Sequence, residues 1–166
     1  MSSVDALLAE IEAVYRSRGA AFLRLALART GEVEAARDAV QDGFAHAIRG
    51  RRSFRGTGSL EAWIARCVIN AAYDLARHAQ LTTKNVAADV PSDRGSGSPH
   101  GADPGLVRDA VNQLPQRQRD VLYLRFYLDF SYAAIAETLG IEVGTVSATL
   151  HAARASLAHN LQEVAR

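Results

Sequence analysis

Two short stretches of this 166-residue chain carry side chains whose types and spacing could do chemistry on nucleic acid. The first, GRRSFRGTGS over residues 50–59, sets Arg51, Arg52 and Arg55 around a single ring, Phe54, with Arg49 just ahead of them. Guanidinium groups meet phosphates and an aromatic face stacks on an unpaired base, so this loop suits single-stranded DNA. The second, SYAAIAETLGIEVGTV over residues 131–146, places a serine before one apolar-periodic run and a glycine ten residues into the stretch. Ser131 is positioned to cap a helix, Gly140 to supply a turn, and the small Ala134 and Ala136 to let a second helix cross closely. That is the pattern of a helix-turn-helix, with Ile135, Leu139, Ile141, Val146 and Leu150 facing a shared core. Gly144, Thr145, Ser147, Ala148 and His151 then face outward, towards a major groove. A plain helical hairpin is the competing reading.

Catalysis finds little footing. His46, His78, His100, His151 and His159 lie in unrelated segments, and His151 and His159 are two helical turns apart. No nucleophile–base set and no phosphate-binding glycine loop is present. The chain is therefore read as a non-enzyme with no metal and no cofactor. Cys67 is the single cysteine, which excludes an internal disulfide and a paired-cysteine zinc site. It stands at an apolar helix position, where a thiol is expected to be buried and inert.

The elements that must hold these stretches are helical. Hydrophobic residues make up 48% of the chain, mostly Ala and Leu with few β-branched runs. Apolar residues recur at three- and four-residue spacing over 4–29, with Gly19 expected to break or kink the run and Thr30-Gly31 to end it. A second helix is predicted from Glu32 to Ile48 on the stride Val33, Ala36, Val40, Phe44, Ile48. Ser59 caps a third that reaches about residue 80. Residues 82–105 hold three of the four prolines together with Gly, Ser and Asp and have no apolar period, which marks a flexible linker. Beyond it come Leu106–Leu114, then Pro115 as a first helical residue, a break at Asp129-Phe130, and the two helices of the motif. The expected architecture is all-α: two small helical domains, 1–81 and 106–166, joined by 82–105.

Formal net charge is +1, divided as +2 before the linker, −1 within it and 0 after it. A protein that grips DNA unaided usually shows a stronger basic footprint, so a partner is expected to supply the electrostatics. The N-terminal ten residues do not have the charged-then-apolar form of a secretory signal, and no window is long and apolar enough for a membrane helix. A soluble, cytoplasmic protein without membrane insertion is expected.

Residues 114–157, LPQRQRDVLYLRFYLDFSYAAIAETLGIEVGTVSATLHAARASL, resemble region four of the extracytoplasmic-function (ECF) sigma factors of the sigma-70 family. The front half agrees. Residues 36–44, ARDAVQDGF, are similar to the group's A-E-D-L-V-Q-E-x-F, residues 58–64, GSLEAWI, to its G-S-L-x-A-W-L, and Asn70 and Asp74 to the N-x-x-x-D that follows. The resemblance implies a three- to four-helix region two, a helix-turn-helix region four, and a role as the alternative sigma factor that lends core RNA polymerase its promoter specificity. It further implies that Asp38, Gln41, Asp42 and Phe44 dock on the clamp of the polymerase largest subunit. The 38, 41, 42 spacing independently sets three polar groups on one helix face. Arg51, Arg52, Phe54, Arg55, Arg66, Asn70, Asp74 and Arg77 would take the minus-ten strand, and Thr145, Ser147, Ala148, His151 and Arg154 the minus-thirty-five duplex. Trp63, at the start of its helix, is assigned to the core. An anti-sigma factor is a further partner.

The chain departs from the group mainly in its recognition helix. Ser147, Thr149 and Ala152 stand where basic residues are usual, leaving His151 and Arg154, and Glu142 occupies the helix start, where a phosphate would otherwise meet the helix dipole. In region two, Arg37 replaces an acidic residue, Ile69 replaces an arginine, and Gly43 is expected to weaken its helix by up to ~1 kcal/mol. A weak grip on the upstream element follows, or a readout through Thr145, Ser147 and His151 alone. Two other readings stay open: a sigma-like protein that acts by titrating a protein partner, and a stand-alone helix-turn-helix regulator.

Overall fold

The structure, a computed structural model, describes residues 3–83 and 104–164. Seven α-helices and one short 3-10 turn account for these residues, and no strand occurs among them. The front module holds α1 (Ser3–Thr30), α2 (Val33–Gly50), the 3-10 turn Arg51–Ser53 and α3 (Leu60–Thr83). The rear module holds α4 (Pro104–Asn112), α5 (Gln116–Phe126), α6 (Tyr132–Leu139) and α7 (Val143–Val164). The all-helical, two-module architecture matches the sequence expectation. The helices reach two residues into the expected linker at each end, and residues 84–103, the rest of that linker, lie outside the described residues.

Helix α1 continues through Gly19, where a break or kink was expected, without a break. A glycine costs a helix about 1 kcal/mol relative to alanine. Here Phe22 and Leu25, both fully buried, lie in the next turns and tie the helix to the core on the far side of the glycine. The expected stop does occur at Gly31, whose φ of +75° ends α1 while its N–H donates to the Leu27 carbonyl at 2.9 Å. Ser59 caps α3, with its hydroxyl accepting from Ala62 N–H at 3.3 Å. Pro115 stands at the N-cap of α5, one residue earlier than expected.

Small residues dominate the seam between α2 and α3. Ala36, Ala39 and Ala47 on α2 and Ala62, Ala65 and Ala72 on α3 are all fully buried. At the centre of α2 lies Gly43, where an added Cβ would stand 2.6 Å from the Cα of Val68. The helices therefore touch backbone to backbone there, and Gly43 is a packing requirement before it is a helix weakness. Its neighbour Phe44 fills the space beside the crossing, edge-on to Tyr15 at 5.0 Å and to Phe22 at 5.3 Å between ring centroids.

The buried apolar residues of the rear module, including Leu114, Val121, Leu124, Leu128, Phe130, Ile135, Val146, Leu150 and Ala153, join those of the front module in one continuous cluster. The chain turns between α5 and α6 at Asp129, whose φ of +51° makes it the only non-glycine in the left-handed region among the described residues. That turn drives Phe130 inward, where it is 5% exposed. Arg125 steadies the bend by donating to the Phe130 carbonyl at 3.1 Å.

Gly43→Ala should lower stability by about 1–3 kcal/mol through overpacking against the Val68 backbone, although alanine is the better helix former. Thermal unfolding followed by circular dichroism reads the sign; a gain in midpoint would show that the seam has slack.

Candidate nucleic-acid interface

On α2, Asp38, Gln41 and Asp42 are exposed on one face, while Phe44 is 5% exposed. Phe44 packs against Tyr15 and Phe22 and anchors the helix that presents the three polar groups. Arg37 on the same helix is exposed and paired with Glu34 at 2.7 Å, a weak surface interaction.

The loop after α2 divides its arginines. Arg51 is tied down, donating to the Ile48 carbonyl at 2.6 Å, whereas Arg52 and Arg55 are exposed. Phe54 lies against Trp63 with ring centroids 5.3 Å apart and planes tilted by 40°. Trp63 is half-buried beside Gly50, as assigned, so the Phe54 ring is backed by the core and shows part of its surface to solvent. Along α3, Arg66, Asn70, Asp74 and Arg77 are all exposed, one helical turn apart. Both sets of polar groups ride on helices fixed by the α2–α3 seam.

The rear module forms the motif read from its sequence. Ser131 Oγ accepts from Ala134 N–H at 3.1 Å, Gly140 adopts φ +64°, and Ile141 N–H closes the turn on the Ala136 carbonyl at 3.0 Å. Ile135, Val146 and Leu150 are buried, and Gly144, Thr145, Ser147, Ala148, His151 and Arg154 are exposed on α7. The Arg154 guanidinium sits over the Phe126 ring, 5.8 Å from its centroid. Only this cation and a histidine are available on that face for phosphates. Among the described residues, no three His, Cys, Asp or Glu side chains gather closely enough to hold a metal ion; His100 lies outside them.

Sequence patterns gave no sign of the joint between the modules. Arg29 at the end of α1 grips Asp120 of α5 with two bonds, Nη2 to Oδ2 at 2.5 Å and Nε to Oδ1 at 3.1 Å. Asp120 is 2% exposed and also accepts from Gln116 at 2.9 Å. Arg18 of α1 donates to the Leu128 carbonyl beyond the end of α5, and Arg24 stacks over Tyr127 at 4.9 Å. Thr138 of α6, 3% exposed, donates to the Ala62 carbonyl of α3 at 3.3 Å. An added Cβ on Gly58 would collide with Glu137, and one on Gly140 would meet Arg66 Nη2 at 3.0 Å. A cavity of about 480 Å³ remains between the modules, bounded by Arg66, Asn70 and Tyr73 on α3 and by Gln116, Arg117 and Leu139 opposite.

The sigma-70 region 2 family matches residues 14–82 and the sigma-70 region 4 family matches residues 105–157. The chain is also 32% identical over 164 residues to the ECF RNA polymerase sigma factor SigL of Mycobacterium tuberculosis, covering 93% of this chain and 90% of that protein. The chain belongs to the ECF sigma factors. Similarity to the RNA polymerase sigma factor YlaC of Bacillus subtilis is 29% over 166 residues, 91% of each chain. Among solved structures, the sigma factor RpoE of Bartonella quintana, crystallised with the anti-sigma factor NepR, shares the fold with a TM-score of 0.78. That match has 23% identity and covers 92% of this chain and 97% of that one. Like its group, this sigma factor binds RNA polymerase and directs promoter-specific transcription. No helix among the described residues is long and apolar enough to cross a membrane.

Cys67 of this sigma factor is half-buried on α3. Burial pushes its thiol above the usual range, and the nearby Arg66 charge only partly offsets this. A raised value means less thiolate at any given pH below it. Alkylation of the folded protein at pH 8 should therefore run slower than that of a free cysteine and accelerate on unfolding; equal rates in native and denatured protein would contradict the burial.

Proposed function

We propose that this sigma factor divides its work between its modules at named residues. Residues 1–81 form the unit that engages core polymerase and the minus-ten element, 106–166 the unit that engages the upstream duplex, and 82–105 connects them. On α2, Asp38, Gln41 and Asp42 dock on the clamp of the largest subunit, with Phe44 buried behind them as their support. Arg52 and Arg55 take phosphates of the non-template strand, Arg51 shapes the loop, and Phe54 offers the ring edge that Trp63 leaves uncovered. Arg66, Asn70, Asp74 and Arg77 read or hold the strand along α3. On α7, Thr145, Ser147, Ala148, His151 and Arg154 enter the major groove. No catalytic residue is assigned, and the site of action is the cytoplasm, where polymerase and promoter DNA are.

The observation that carries this reading is the coincidence of exposure with motif. Nearly every polar position that resembles the group's contact residues is solvent-facing, and the neighbouring apolar positions are buried. Charged and amide groups on a rigid helix at one-turn spacing suit a strand held by its phosphates and base edges.

A second reading is favoured by the cation-poor face of α7. Here the sigma fold serves chiefly to engage a protein partner such as an anti-sigma factor. The solved relatives are described as a sigma factor with the anti-sigma factor NepR and as CnrH with the cytosolic domain of CnrY. Promoter crosslinking in holoenzyme separates the two readings, since the second expects partner capture without it.

Run-off transcription with core polymerase and a genomic promoter library tests the first. R52A/R55A should reduce initiation about tenfold or more through two lost charge-assisted contacts. It should also lower the slope of log affinity against log salt by roughly 1.4, at about 0.7 per single-strand phosphate contact. An unchanged slope would remove these arginines from the DNA interface.

A further inference from the structure

We propose that the cavity between the modules is a binding site for a nucleoside polyphosphate, with the phosphates between Arg66 and Arg117 and the base against Tyr73. Arg66 and Asn70 also stand among the proposed strand contacts. Competition between ligand and strand for them rests on that proposed function, whereas the site itself does not.

The space of about 480 Å³ falls within the roughly 300–1,000 Å³ of small-molecule sites. Its charge is lopsided. Arg29, Arg66 and Arg117 line it against a single carboxylate, Asp120. That leaves two positive charges in excess, more than the +1 of the whole chain. Arg29 closes on Asp120 at 2.5 Å, so the excess belongs to Arg66 on α3 and Arg117 on α5. Among the described residues, neither of these two guanidinium groups has a carboxylate partner. Like charges around one recess repel, and the apolar surface of Ile69 and Leu139 beside them focuses their field on an anion. Helix α5 adds to it. Gln116 and Arg117 are its first two residues, and Pro115 before them gives no side-chain cap, so the positive end of the helix dipole stands at the same wall.

The chemistry of the walls selects the ligand. A planar guanidinium meets a phosphate with two parallel hydrogen bonds, and two such groups suit an anion with more than one phosphoryl group. Tyr73 lines the same recess and is 56% exposed. Among the described residues its ring pairs with no other ring and no guanidinium. An unoccupied aromatic face beside a cationic recess stacks on a base. The exposed Asn70 amide, also in the lining, offers a donor and an acceptor to the base edge. A continuous strand fits the recess less well. Arg52 and Arg55, the loop cations proposed to hold strand phosphates, do not line it.

Isothermal titration calorimetry on the full chain tests the site, with ATP, inorganic triphosphate and a single-stranded oligonucleotide as probes. ATP is expected to bind one to one, and triphosphate more weakly because it leaves Tyr73 unused. R66Q and R117Q should each weaken ATP about tenfold or more, through loss of a charge-assisted contact. Y73A should weaken ATP several-fold and leave triphosphate unchanged. R37Q removes an exposed cation of α2 that does not line the cavity, and should change neither. All four side chains are exposed, so circular dichroism should show unchanged helicity. Absence of ATP binding by the wild-type chain would overturn the site. So would a loss in R37Q as large as that in R117Q, since the attraction would then be diffuse. Triphosphate bound as tightly as ATP would overturn the nucleoside part. If R117Q weakened the oligonucleotide as much as ATP, the recess would belong to the strand path and the small-ligand site would fall. Neither polymerase nor promoter enters the titration, so its failure leaves the promoter role standing.

Discussion

One desolvated ion pair stands at the joint between the two halves of the molecule, beside the apolar cluster that they share. Taking a guanidinium and a carboxylate out of water costs several kcal/mol per ion, and only good geometry recovers it. Arg29 and Asp120 supply that geometry as a two-bonded fork, and Gln116 occupies a further lone pair of the carboxylate. Removing one member of such a pair costs more than its net contribution, because the other is left buried and uncompensated. The pair therefore specifies orientation strongly while adding little to cohesion. Arg18, Arg24 and Thr138 add polar contacts of the same character around it.

Within the front module the logic is reversed. The α2–α3 seam is lined by buried alanines, one glycine and Val68. Close-packed interiors transmit displacement instead of absorbing it. The acidic face of α2 and the mixed face of α3 are thus held in a fixed relation, whatever the joint with the rear module does.

Local signals made much of this legible in the sequence. The four-residue stride found α2, Ser59 and Ser131 marked their helices through capping, and Gly31 and Gly140 marked turns through positive φ. Exposure of Arg66, Asn70, Asp74 and Arg77 followed from helical periodicity alone. Three readings needed the third dimension. Gly19 was read as a break or kink because propensity is local, whereas burial of Phe22 and Leu25, which carries the helix on, is not. Phe44 shares a motif with Asp38, Gln41 and Asp42 but is buried against Tyr15 and Phe22. Arg29 and Asp120 are 91 positions apart, so their pairing leaves no periodic trace, and each taken singly looks like an ordinary surface charge.

The backbone contact at Gly43 has a consequence for what the molecule can measure. With the α2 and α3 axes pinned at van der Waals distance, the offset between the exposed carboxylates of Asp38 and Asp42 and the exposed Asn70 becomes a built-in gauge, set by the chain itself. Any residue larger than glycine there would recalibrate it.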